Sequence, residues 1–164
     1  IKNIPVTPFL LVSNHISWLD IQLLNAYKPI SFVAKSEVAR WPIFGWMAKQ
    51  LGTLFIKRGD SKHARMVVGQ MTIALREHSI CIFPEGGVPD ESIVLDEFKD
   101  GAFRIAIEHQ LPIVPMVFFD NKKRFSYTFF SGSPGKMRAK FLPIIETKGK
   151  TFEERKEIKE PFSC

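Results

Sequence analysis

Apolar and polar positions along this chain follow two rhythms. Near-continuous apolar runs occur in "PFLLVS" (8–13), "ISFVA" (30–34), "TLFIK" (53–57), "SICIF" (79–83) and "PIVPMVFF" (112–119), as in strands covered on both faces. Helical spacing separates them. "SWLDIQLLNAY" follows the first run, and "FKDGAFRIAIEHQ" precedes the fifth. "SKHARMVVGQMTIALREH" sets Ala64, Val67, Val68, Met71 and Leu75 on one helical face, with Asp60 or Ser61 available as its cap. After Asp120 the segments "RFSYTFFSG" and "KMRAKFLPII", joined across "SGSPGK", read as a hairpin, and a charged helical tail (151–160) closes the chain. The expected fold is α/β: a single domain, 1–164, with a mostly parallel central sheet of about seven strands, helices on both faces and an antiparallel C-terminal hairpin.

The length of 164 residues, 45% of them hydrophobic, suits one well-buried core. No apolar run approaches the roughly 18 residues needed to span a bilayer, and no signal-peptide pattern opens the chain. The abrupt beginning and end are compatible with a piece of a longer protein that lacks flanking segments, a membrane anchor among them. Cys81 and Cys164 have neither disulfide-framework nor zinc spacing, so a reducing compartment and no metal are expected. The net charge of +6 is uneven: up to Arg65 nine Lys/Arg face three acids, and the remainder balances at fourteen of each. That excess suggests an anionic partner for this portion, competing with the plainer reading of a solvated basic face.

In α/β sheets ligands collect where strands end and helices begin. Three strand ends here carry polar residues that packing does not require: "SNHISWLD", "FIKRGD" and "FPEGG". In the first, His15 and Asp20 would point about 140° apart on one continuous helix, so they meet only if the helix starts between them. Ser17 offers that start. A carboxylate on one imidazole nitrogen fixes the tautomer and leaves the other nitrogen as a base; the competing reading is that Ser17 and Asp20 merely cap a helix. At the second end, Lys57 and Arg58 stand where a strand stops, Arg58 with a fork suited to phosphate, or else both are ordinary surface charge. At the third, Pro84 keeps Phe83 extended, Glu85 closes the strand, and Gly86 and Gly87 allow a tight turn whose exposed amides would hold an oxyanion or phosphate.

Taken in order, Asn14-His15 with Asp20, "GTLFIKR" (52–58), "FPEG" (83–86) and "IVPM" (113–116) after the "FKDGAF" helix start resemble the glycerolipid acyltransferase family. The likeness runs over nearly the whole chain and is nearest to the 1-acylglycerol-3-phosphate (lysophosphatidic acid) acyltransferases. It implies that His15 is the catalytic base with Asp20 as partner, that Arg58 and Glu85 bind the acceptor beside Asn14, Lys57, Gly86 and Gly87, and that Pro115 belongs to the fourth motif. The implied reaction moves an acyl chain from acyl-CoA or acyl-carrier protein to a hydroxyl of lysophosphatidic acid, giving phosphatidic acid in phospholipid biosynthesis. Its partners would be a lyso-phospholipid, an acyl thioester and a membrane surface, without nucleic acid and with no cofactor beyond the thioester co-substrate. Its place would be peripheral, on the cytoplasmic face of the inner or plasma membrane. One departure stands out: the third motif commonly continues Thr-Arg-Ser, whereas Gly87, Val88 and Pro89 follow here. Another lyso-lipid or glycerol-3-phosphate as acceptor, a non-catalytic lipid- or nucleotide-binding module, and a hydrolase are the alternatives.

The residues suit the implied chemistry. A glycerol hydroxyl needs a base poised near neutral pH, and histidine, with an ordinary pKa of about 6.5, meets that need. "FSGSPG" (130–135) is not a nucleophile elbow, and an acyl-enzyme through Ser13, Ser17 or Cys81 has no motif behind it. In "KSEVARWPIFGWMAKQLG" (35–52), Trp41, Phe44, Trp46 and Met47 are flanked by Lys35, Arg40 and Lys49. That pattern fits a membrane interface, with core packing as the alternative.

Overall fold

All five apolar runs form strands. The computed structural model describes residues 8–27, 30–57, 59–88, 97–126 and 131–162, and its main sheet has the order β3-β2-β4-β1-β5-β8. These strands are β1 (Leu10–Ser13), β2 (Ser31–Lys35), β3 (Leu54–Ile56), β4 (Ile80–Ile82), β5 (Ile113–Phe118) and β8 (Ala139–Phe141). The first five run parallel, and β8 lies antiparallel on β5. At the centre β1 pairs with both β4 and β5, Leu11 facing Cys81 on one side and Val114 on the other.

Side chains on successive strand residues leave by opposite faces, and each face has its own core. Leu10, Val12, Ile80 and Ile113 pack with Val67 and Met71 of α3 (Ser61–Ala74), Phe103 of α4 (Gly101–Glu108) and Ile158 of α6 (Arg155–Lys159). Phe9, Leu11, Cys81, Val114 and Met116 pack on the other face with Ile16 and with Leu24 of α1 (Leu19–Tyr27). The capping question for α3 resolves to Asp60, whose Oδ1 accepts from the amides of Lys62 at 3.1 Å and His63 at 3.0 Å. Of its predicted apolar face, Val67, Met71 and Leu75 are buried.

Among the described residues the main sheet has six strands rather than about seven. The C-terminal pairing also differs from the expected hairpin. Among the described residues its two segments do not pair across "SGSPGK": β6 (Phe125–Ser126) pairs with β7 (Ser131–Gly132), within the first segment, while the second supplies β8 to the main sheet. The edge of β5 explains the exchange. An unpaired edge offers a row of backbone groups, and Met116, Val117 and Phe118 take Phe141, Lys140 and Ala139 as partners there.

Candidate active site

The proposed pair meets at the end of β1. Residues 14–17 form a short irregular link, and α1 begins only at Leu19, so the imidazole of His15 and the carboxylate of Asp20 are not held apart by one helix. His15 Nδ1 lies 2.9 Å from Asp20 Oδ2. The same oxygen accepts the amides of Ile16 at 2.8 Å and Ser17 at 2.9 Å. Capping and imidazole binding are therefore one arrangement rather than rival readings, since one carboxylate both closes the turn and holds the ring. An ionised Asp20 has no proton to give, so this contact calls for the tautomer with its hydrogen on Nδ1 and none on Nε2. Phe83 stacks on the ring at 4.2 Å between centroids and fixes its plane.

Glu85 and Asn14 support this loop from behind. The buried Glu85 accepts the His15 amide through Oε2 at 3.2 Å. Both ends of the Asn14 amide are bonded to one residue of β5: Nδ2 donates to the Phe118 carbonyl at 3.1 Å, and Oδ1 accepts the Phe118 amide at 2.7 Å. In the "FPEG" turn Gly86 adopts φ +79°, a backbone state that suits glycine, but its amide donates to the Phe83 carbonyl at 3.0 Å. That amide closes the turn instead of standing open for an anion, as the sequence had suggested.

His15, Gly86 and Gly87 line a cleft of about 1020 Å³ whose walls are mostly apolar, among them Phe32, Leu51, Ile56, Val67 and Met71. Asn14, Asp20, Glu85 and Lys57 are not among its lining residues. Lys57 is exposed, and its amide donates to His63 Nδ1 at 3.2 Å. Arg58 lies outside the described residues. Two cations that motif reasoning did not assign to the site, Lys35 and Lys99, line the cleft. A Cβ placed on Gly87 would stand 3.7 Å from Lys35 Nζ, so an ammonium group lies beside the segment where the third motif departs. Lys35 ends a strand just as Lys57 follows one, and the sequence had marked it only as a flanking cation of the aromatic stretch 35–52. Ser13, Ser17 and Cys81 are fully buried, and burial pushes the Cys81 thiol well up from its ordinary pKa, which suits none of them to act as a nucleophile.

Trp18 lines the cleft with the exposed Trp41 and Phe44, and the three rings form an aromatic lip. Trp18 packs on Phe44 at 4.6 Å and on Trp41 at 5.5 Å between ring centroids. Gly45 of α2 (Phe44–Gln50) is required here, because a Cβ would come within 2.6 Å of the Ala39 carbonyl oxygen. Ile43 holds φ at +62°, rare for a β-branched residue and costing about 1–3 kcal/mol, with the Phe44 amide bonded to the Pro42 carbonyl at 2.6 Å. Ile43 is 70% exposed and Trp46 65%, so this stretch is not simply core. No helix among the described residues is long and apolar enough to cross a membrane, and the described residues hold no cluster of metal-ligating side chains.

Residues 1–119 match the acyltransferase family. The chain is 47% identical over 83 residues to the lyso-ornithine lipid O-acyltransferase of Pseudomonas aeruginosa, a match covering 50% of this chain and 32% of that protein. It is 32% identical over 156 residues to the 1-acyl-sn-glycerol-3-phosphate acyltransferase alpha of Mus musculus, covering 90% of this chain and 53% of that one. The crystal structure of the 1-acyl-sn-glycerophosphate (LPA) acyltransferase PlsC from Thermotoga maritima shares the fold, with a TM-score of 0.77 at 23% identity over 96% of this chain and 64% of that one. The chain thus spans between 32% and 53% of the length of these two curated relatives. With a match over residues 1–119 that takes in all four ordered motifs, the chain belongs to the acyltransferase family.

Proposed function

We propose that this domain transfers an acyl chain from a thioester donor, acyl-CoA or acyl-carrier protein, to a free hydroxyl of a lyso-lipid with an anionic headgroup. The observation that carries this reading is the His15–Asp20 contact of 2.9 Å at an apolar cleft. The acceptor hydroxyl donates to His15 Nε2 and loses its proton there as its oxygen attacks the thioester carbonyl. The new C–O bond forms, the C–S bond breaks from the tetrahedral intermediate, and the departing thiolate takes the proton from the imidazolium. Asp20 steadies the imidazolium while it exists. The apolar walls suit acyl chains, and Lys35 and Lys99 suit the headgroup. In this reading Asn14 and Glu85 shape the catalytic loop instead of touching substrate.

Lysophosphatidic acid is the acceptor we favour, because the match to the mouse glycerophosphate enzyme extends over 90% of this chain. Lyso-ornithine lipid is the second reading. It draws on the 47% identity to the Pseudomonas protein over 50% of the chain and on Val88 in place of the usual arginine. Release of thiol from an acyl thioester, measured with lysophosphatidic acid, lyso-ornithine lipid and an uncharged monoacylglycerol, decides between them. Lysophosphatidic acid is expected to give the largest kcat/KM. Lys35→Ala is expected to raise the KM for that acceptor about 3–10-fold, with donor KM unchanged, as loss of one partly solvated charge contact should. Thiol release independent of acceptor would indicate a hydrolase, and none with any acceptor a binding module.

The exposed lip suits a membrane surface, with rings at headgroup depth and Lys35, Arg40 and Lys49 exposed to meet anionic lipid. Replacing Ile43 and Trp46 by serine should cost little stability, given their exposure, yet weaken sedimentation with phosphatidylglycerol-containing vesicles several-fold. Added salt should weaken it further through screening. Unchanged vesicle binding by the folded double variant would remove the lip from the interface.

A further inference from the structure

We propose that Asn121, beyond the family match that ends at residue 119, is a positioning residue for the His15–Asp20 pair; this rests on the acyltransfer reading above. Asn121 opens the short helix α5 (Asn121–Arg124) after β5, and its side chain is fully buried. Its Nδ2 donates to Asp20 Oδ1 at 2.6 Å, across 101 positions of sequence. Asp20 Oδ2 already receives His15 Nδ1 and the amides of Ile16 and Ser17. Asn121 therefore holds the second oxygen, and with both oxygens held the carboxylate cannot rotate about its terminal bond to present a different edge to the imidazole. A buried carboxylate with donors on both oxygens keeps one geometry.

Asn121 is itself anchored. The adjacent Asp120 takes a two-pronged contact from Arg138, Nε at 2.5 Å from Oδ2 and Nη2 at 2.9 Å from Oδ1, and that guanidinium holds the Asp120 carboxyl below its usual pKa. Phe118, three residues earlier, is clamped by Asn14. The end of β5 is thus tied to the catalytic loop on one side and to the segment entering β8 on the other. Positioning at this reach fits the general sensitivity of catalysis to small misplacements of its groups.

The test uses the purified chain with the lyso-lipid assay and with 13C-histidine NMR, in which His15 is distinguished from His63, His78 and His109 by its loss in H15A. Asn121→Leu is expected to lower kcat about 10–100-fold while both KM values stay within about twofold. Added to Asp20→Asn, which already lacks the charge being oriented, it is expected to cost little more, the non-additivity of groups that act as one unit. An independent, multiplicative loss in that double variant, or a lowered melting temperature with kcat unchanged, would overturn the positioning role. Should Asn121→Leu fail to fold, the smaller Asn121→Ala carries the test. With Asp20 Oδ1 released, the ring 13C shifts of His15 should move from those of a single Nδ1–H tautomer toward a mixture of the two tautomers. Unmoved ring shifts would overturn the proposal. Since the NMR readout needs no substrate, a wrong acceptor assignment leaves this arm intact.

Discussion

Replacing His15 with alanine is expected to lower turnover by about 10²–10⁴-fold, the range for loss of a general base, and to leave a folded protein. The ring is largely enclosed, with 14% of the side chain exposed, and its departure removes the stack on Phe83. It does not strand a buried charge. Asp20 keeps the amides of Ile16 and Ser17 on one oxygen and Asn121 on the other. The Glu85 contact is made to the backbone amide of residue 15 and survives the substitution. The variant should therefore show near-native circular dichroism and a cooperative melt while thiol release collapses with every acceptor. Ordinary turnover by the folded variant would end the general-base mechanism.

Asp20→Asn is the sharper experiment, with an expected loss of similar size. The carboxylate has four donors, three on Oδ2 and one on Oδ1. An asparagine can keep its oxygen in the first position, where the two backbone amides and the imidazole converge, which turns its own NH2 toward Asn121. Two NH2 groups would then face each other, but Asn121 can exchange the ends of its amide, because its Oδ1 has no hydrogen-bond partner among the described residues. The cap and the packing are retained and only the charge is lost. The imidazolium formed during attack then has no counter-ion, and turnover falls although the geometry persists. Kinetics paired with a thermal melt read the outcome: activity retained at a normal melting temperature would reduce Asp20 to a cap.

The strands and helices were legible because their signals are local. Leu10 and Val12 alternate with Phe9 and Leu11, and Val67, Met71 and Leu75 recur at helical spacing; each set lies within one element and found its own face of the sheet. His15 and Asp20 were also legible, being five positions apart with a helix start between them. The C-terminal pairing was not. Alternation shows that a segment is strand-like, but whether Ala139–Phe141 pairs with its neighbour in sequence or with the edge of β5 depends on which edge is free once the sheet is assembled.

The sequence by itself determined the α/β class, the order of the polar strand ends, the acyltransferase motifs and the pairing of a histidine with a carboxylate five positions on, since each is written in residue type and short spacing. Only the tertiary structure decided what surrounds that pair. Sheet order places β1 between β4 and β5, so Glu85, just past β4, meets His15 and Asn121, just past β5, meets Asp20, across 70 and 101 positions of the chain. The same assembly sets Lys35, at the end of β2, beside Gly87. Periodicity carries no information over such distances: it fixes which face of an element is buried, whereas strand order, set by packing of the whole core, fixes which strand ends are neighbours and so which side chains share the site.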